Sequence, residues 1–198
     1  MWLWCPSRND PFASSSPLSL LFQSVEPDSP ARPRWCHALP VNLMPAPYPG
    51  SCLCGSVKFQ LLSDPLTFYV CHCTMCQRRS GGAALPVMWV HRTDLQILEG
   101  EAPLAEFNLG NGHTRRARIC PRCDTRLWAE PLNRPNIALL RPGTLENQQA
   151  FTPVAHVYTR SKQPWFLIPP GVAQFETYPE QAEELVRLWR QATSTLRK

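Results

Sequence analysis

The sequence predicts an all-β domain, and three observations carry that expectation. From Tyr48 onward, short apolar runs, several of them alternating, recur between turn residues, as half-buried strands require. Seven cysteines between positions 52 and 123 fall into three clusters able to tie such strands together. A helical period is found only after Pro179. The length of 198 residues suits one domain with appendages, and an apolar fraction of 43% is enough to build a core.

Residues 1–46 are expected to form a disordered leader. Ten of the 22 prolines lie in the first 50 residues. The segment up to residue 43 is neutral, with Arg8, Arg32 and Arg34 against Asp10, Glu26 and Asp28. Such composition buries too little apolar surface to offset chain entropy. Met44 is an alternative start consistent with this reading. The apolar run at 18–22 is too short to span a membrane and lacks a basic flank. Cys5 and Cys36 read as incidental thiols of this leader.

A domain is expected over 47–178. Residues 57–61 alternate, and 67–70 lead into the second cysteine cluster. Residues 84–90 are β-rich, with Pro86 predicting an edge or a bulge. Further strands are expected at 94–98, 104–108, 115–119, 127–129, 137–140 and 154–158, with Asn111-Gly112 marking a turn. In residues 179–198, Ala182, Leu185, Val186, Trp189, Ala192 and Leu196 recur at helical spacing behind Pro179, which predicts a C-terminal helix docked on the domain or fraying in solvent.

The cysteine clusters carry the chemistry. They are Cys52-Leu53-Cys54-Gly55, Cys71-His72-Cys73-Thr74-Met75-Cys76 and Cys120-Pro121-Arg122-Cys123. Cysteines one residue apart do not easily bridge each other, and knuckle spacing without a convincing secretory signal reads as metal binding in a reducing, cytoplasmic compartment. Thiolate sulfurs suit zinc in tetrahedral geometry. Two pairs close one four-sulfur site. The remaining triplet holds a second ion with one position free, so two zinc ions per chain are expected, one structural and one functional. Pairing the first cluster with the last would join distant segments and stabilise the fold. His72 is weighed as the triplet's fourth ligand, but, flanked by Cys71 and Cys73, it should point away from their common face and pack behind the metal.

The order of these motifs resembles the glutathione-dependent formaldehyde-activating enzyme / centromere protein V family. The resemblance runs through Gly50-Ser51-Cys52-x-Cys54-Gly55-x-Val57, Cys71-His72-Cys73-x-x-Cys76, Ser80-Gly81, Cys120-x-x-Cys123 and the tail Ser161-Lys162-x-Pro164-Trp165-x-x-Ile168-Pro169. It implies an all-β fold of the Mss4-like, β-tent type. It implies a structural zinc on Cys52, Cys54, Cys120 and Cys123, and a catalytic zinc on Cys71, Cys73 and Cys76. One position departs from the pattern. Asp124 stands where the family usually carries glycine, so it is expected to take a positive φ.

The resemblance further implies a carbon–sulfur lyase acting on thiol adducts, with glutathione as the thiol and formaldehyde as the aldehyde. Zinc would hold a bound thiol anionic near neutral pH, or alternatively polarise the aldehyde oxygen as a Lewis acid. Arg78 and Arg79 follow the triplet and could grip a carboxylate through their planar forks. Arg115, Arg116 and Arg118 are weaker candidates, with Arg116 expected to face away from the other two. His156 is weighed as substrate-binding residue, proton shuttle or hydrogen-bonded core histidine. Trp128, Trp165 and Phe166 are weighed as pocket walls or core. The competing reading is a non-catalytic zinc module that binds chromatin or nucleic acid. The formal charge of +5 argues against it, because seven thiolates and two divalent ions together lower it to +2 and no long basic run occurs. A membrane partner is not expected.

Overall fold

The computed structural model describes residues 45–110 and 112–194. The leader expectation, with Cys5 and Cys36, falls almost wholly outside them, as does Asn111. Strands β1 (Tyr48–Ser51), β2 (Lys58–Leu61) and β5 (Leu95–Glu99) form a small antiparallel sheet in the order β1-β2-β5. The remaining strands are β3 (Thr67–Cys71), β4 (Leu85–His91), β6 (Leu104–Asn108), β7 (Thr114–Ile119), β8 (Arg126–Ala129), β9 (Ile137–Leu140), β10 (Ala155–Val157) and β11 (Ala173–Phe175). They form one eight-stranded sheet in the order β11-β10-β3-β4-β9-β8-β7-β6. Helix α1 (Thr74–Ser80) follows β3, and α2 (Glu183–Ser194) closes the described chain.

This architecture corrects the all-β, β-tent expectation. The fold is mixed α/β, with a large open sheet and two helices. β10 runs parallel to both β3 and β11, an arrangement that needs long crossover connections rather than hairpins. α1 has no counterpart in the sequence expectation because its seven residues, TMCQRRS, carry no apolar period. α2 does match its predicted stripe. Leu185 and Trp189 are buried, and Thr67 Oγ1 donates to the Leu185 carbonyl at 2.8 Å, so the helix docks rather than frays.

Two cores flank the large sheet, and β4 shows why. Met88 and Val90 join Phe59, Leu61, Trp128 and Leu140 on one side, while Leu85, Val87 and Trp89 join Tyr69, Cys71 and Leu185 on the other. A strand buried on both faces reads as a continuous apolar run. β4 is therefore central, not an edge as Pro86 suggested. Its β9 partners run only from Met88 to His91, so the proline lies where one side of the strand is already unpaired and its missing N–H is tolerated.

Candidate metal centres

The four cysteines of the first and third clusters converge. Cys52, Cys54, Cys120 and Cys123 place their sulfurs within 4.8 Å of one another. The first knuckle is a tight turn. The Gly55 N–H donates to the Cys52 carbonyl at 3.0 Å, and Gly55 takes φ 72°, which glycine adopts freely. The second knuckle turns at Asp124, whose φ is 57° as its replacement of glycine led us to expect. Thr125 locks the two together: its Oγ1 accepts from the Leu53 N–H at 3.0 Å and lies 3.1 Å from the Cys123 sulfur. Ser56 Oγ sits 3.0 Å from the Cys54 sulfur and 3.3 Å from that of Cys120. The Thr125 contact lowers the Cys123 thiol to about 5. Burial opposes ionisation of Cys52, but bonds from the Val57 N–H, Ser56, Cys54 and Cys120 bring it to about 7. Four sulfurs surrounded by donors suit a thiolate-bound ion such as zinc.

Cys71, Cys73 and Cys76 form the second group, again within 4.8 Å. Cys71 ends β3, Cys73 is the N-cap of α1, and Cys76 lies in its first turn, so strand end and helix start deliver the three sulfurs. The Cys76 N–H donates to the Cys73 sulfur at 3.4 Å. The hydrogen bond from Cys71, aided by Cys73 and by the charges of Arg79 and Arg115, pulls the Cys76 thiol down to about 6, and the proton stays with Cys71. Cys71 and Cys76 are buried, whereas Cys73 is half-exposed. Three sulfurs leave a tetrahedral ion one position for an outside ligand.

His72 is not in this group. It is fully buried, and its Nε2 lies 2.8 Å from His156 Nδ1. Val157 pairs with Cys71 and His156 with Val70, so strand alternation turns both imidazoles away from the Cys71 sulfur. His156 is thus a hydrogen-bonded core histidine behind the knuckle. Burial, then the neighbouring His72, depresses it to about 4. Phe166 packs edge-on against both rings. Trp128 belongs to the core beneath Phe59, whereas Trp165 is 70% exposed.

The arginines separate by position. Arg78 is exposed. Arg79 is half-buried, and its surroundings include Arg115, Cys76, Arg126 and Cys73. Arg115 Nη2 lies 2.9 Å from Met75 Sδ, beside the triplet. Arg116 pairs with Glu106 at 3.2 Å, and Arg118 with Glu130 at 2.9 Å. Alternation along β7 therefore sets Arg115 apart, correcting the expectation that Arg116 would be the odd one out. Four neighbours of the triplet escaped sequence reasoning. Gln77 Nε2 donates to the carbonyls of His72 at 2.6 Å and Ser161 at 2.7 Å. Tyr158, at φ 58°, has its phenol raised by burial and by Cys71 and Cys73. Arg141, just after β9, has Cys76 in its electrostatic surroundings, and Arg126, on β8, neighbours both Arg79 and Arg141. Their one sequence signal is arginine placed within or directly after an apolar strand.

A family model described as glutathione-dependent formaldehyde-activating enzyme matches residues 47–161. A curated Halomonas elongata protein, whose name assigns it provisionally to that same activity, is 28% identical over 83 residues. The match covers 40% of this chain, and the chain spans about half (53%) of that relative's length. A crystal structure of a Rhodobacter sphaeroides protein is 17% identical, covering 64% of this chain and 98% of the other at a TM-score of 0.41. No helix among the described residues is long and apolar enough to cross a membrane.

Proposed function

The chain belongs to the glutathione-dependent formaldehyde-activating enzyme family, and from that premise we propose that it is a carbon–sulfur lyase for glutathione-type thiol adducts. The sulfur of the thiol adds to the aldehyde carbon, and the carbonyl oxygen takes up a proton to give S-hydroxymethylglutathione or a related adduct. Cleavage is the reverse. The observation that carries this reading is the division of the cysteines into a closed group of four and an open group of three.

Cys71, Cys73 and Cys76 are assigned to hold the functional zinc, and Cys52, Cys54, Cys120 and Cys123 the structural one. Bound at the triplet, zinc supplies a soft centre that keeps a substrate thiol anionic. Arg79, rather than the exposed Arg78, is the better partner for a substrate carboxylate, because it is half-buried beside Cys76. His156 has a positioning role. It holds His72, whose carbonyl is further gripped by Gln77 and by Ser161 Oγ at 3.0 Å. The span between Cys71 and Cys73 is thereby fixed from behind. We place the functional domain at 47–178, with the C-terminal segment as its docked extension.

The test is exchange spectroscopy on 13C-formaldehyde and glutathione, with the zinc-loaded full chain added. The expected result is faster interconversion with S-hydroxymethylglutathione than in buffer, abolished in Cys73→Ser. Exchange no faster than in buffer, with both zinc ions present, would refute the lyase assignment and favour the binding-module reading.

A further inference from the structure

Beside the triplet the chain concentrates more positive charge than the thiolates can balance. Arg141 is the extreme case. Both of its terminal nitrogens, Nη1 and Nη2, are buried without a hydrogen-bond partner, as is Nε of Arg126. A guanidinium presents five N–H donors and has no uncharged form at ordinary pH. Leaving such donors dry and unpaired is strongly unfavourable unless another group completes them. The electrostatic surroundings of Arg141 include Arg79, Cys76 and Arg126, and those of Cys76 include Arg79 and Arg115. Arg126 also lies over the Phe107 ring, 5.2 Å from its centroid. Phe107 pairs across the strands with Arg115, so Arg115 and Arg126 meet on one face of the sheet.

The protein's own acids do not answer this charge. Among the described residues, ion pairs engage Lys58, Arg92, Arg116, Arg118 and Arg187, but none engages Arg79, Arg115, Arg126 or Arg141. Three thiolates around one divalent ion leave a single net negative charge, against four guanidinium groups. Like charges crowded in a partly dry cluster repel unless an anion joins them.

We propose that Arg79, Arg126 and Arg141, with Arg115 at the rim, form a carboxylate subsite, so that the triplet selects thiols carrying a carboxylate over neutral thiols. This rests on the lyase reading for the sulfur's location. The arginine cluster stands on its own buried, unpaired donors. Forked donors match a carboxylate's two oxygens, and the unpaired Nη1 and Nη2 of Arg141 supply such a fork.

The experiment compares glutathione with glutathione diethyl ester, which keeps the thiol but masks both carboxylates. Each is titrated into the cobalt-loaded full chain while the sulfur-to-cobalt charge-transfer bands are followed. Glutathione is expected to bind at least about ten-fold more tightly than the ester. In Arg141→Met that preference should fall to about two- to three-fold with ester affinity unchanged, and Arg141→Lys should restore it in part. Equal affinity of both thiols for the wild-type chain overturns the subsite and leaves the thiol reading standing. If neither thiol moves the bands, the thiol reading fails and succinate decides the subsite. Succinate should then raise the melting temperature of the wild-type chain and not that of Arg141→Met; equal or absent shifts overturn the proposal. Should Arg141→Met fail to fold, Arg126→Met takes its place in both arms.

Discussion

Replacing His156 by glutamine should flatten the acid limb of the stability profile. His156 is 3% exposed and bonded to His72 at 2.8 Å. Burial, reinforced by His72 and Lys162, lowers it to about 4, against about 6.5 in an unfolded chain. A base with a depressed folded pKa is neutral in the native state. Its contribution is therefore complete above about pH 6.5, and it is lost as pH falls toward 4, where the unfolded chain binds the extra proton. Linkage makes the loss about 2 kcal/mol between pH 7.5 and 5, and about 3 kcal/mol by pH 4. For a domain of this size, 2 kcal/mol is roughly 4–8 °C in melting temperature. The assay is a set of thermal melts from pH 7.5 to 4.5 on zinc-loaded wild-type and His156→Gln chains. Acid release of metal affects both proteins, so the quantity to read is the difference between their slopes. Glutamine keeps an amide for His72 and removes the titration. Parallel profiles would show that His156 does not stay neutral in the fold, and the core-histidine assignment would fall.

Metal analysis of protein prepared without chelator should approach two zinc ions per chain. Cys120→Ser should lower the melting temperature by roughly 10 °C or more, or abolish folding, because it breaks a site that joins distant segments. Cys73→Ser should retain the fold and one zinc; equal destabilisation by the two variants would show that the sites do not divide these roles. Gly100→Ala should cost about 2–4 kcal/mol, measured by urea unfolding. Gly100 has φ 73°, and a Cβ there would overlap the Ser56 carbonyl oxygen, so a change below about 0.5 kcal/mol would contradict that packing.

The parts of the fold that were legible are those with a repeating physical cause. Alternation located β2 and β5 to within about a residue, because one face of each packs against the core and the other is more exposed; β9 (IALL) was legible instead as a continuous apolar run, packed on both faces. Cysteine spacing located both sulfur groups, because a ligand turn has few workable lengths. β1 (YPGS) and β11 (AQF) were missed, since so few residues show no period. α1 was missed because its apolar face is little more than Cys76. The same blindness hid Arg126 and Arg141. A strand arginine reads as solvent-facing unless the topology is known, and only the pairing of β7, β8 and β9 in one sheet brings these residues into the surroundings of Arg79.

Long-range contacts explain why the two candidate metal centres should fail differently. The group of four joins residues some 70 positions apart, so its loss releases a large loop. The triplet is local in sequence, but its supports are not. The contacts of Gln77 and His72 with Ser161 and of Gln77 with Gln163 span 84 to 89 residues, and His156 reaches His72 across 84. On the proposed assignment the chain should therefore keep its fold when a triplet cysteine is replaced, because the supports bond to backbone carbonyls and to each other rather than to sulfur. It cannot lose its fold and keep the triplet's geometry. An open site built this way is positioned by the whole domain while contributing little to holding that domain together. A replacement at Cys73 can then be read as a change in chemistry, and one at Cys120 as a change in stability.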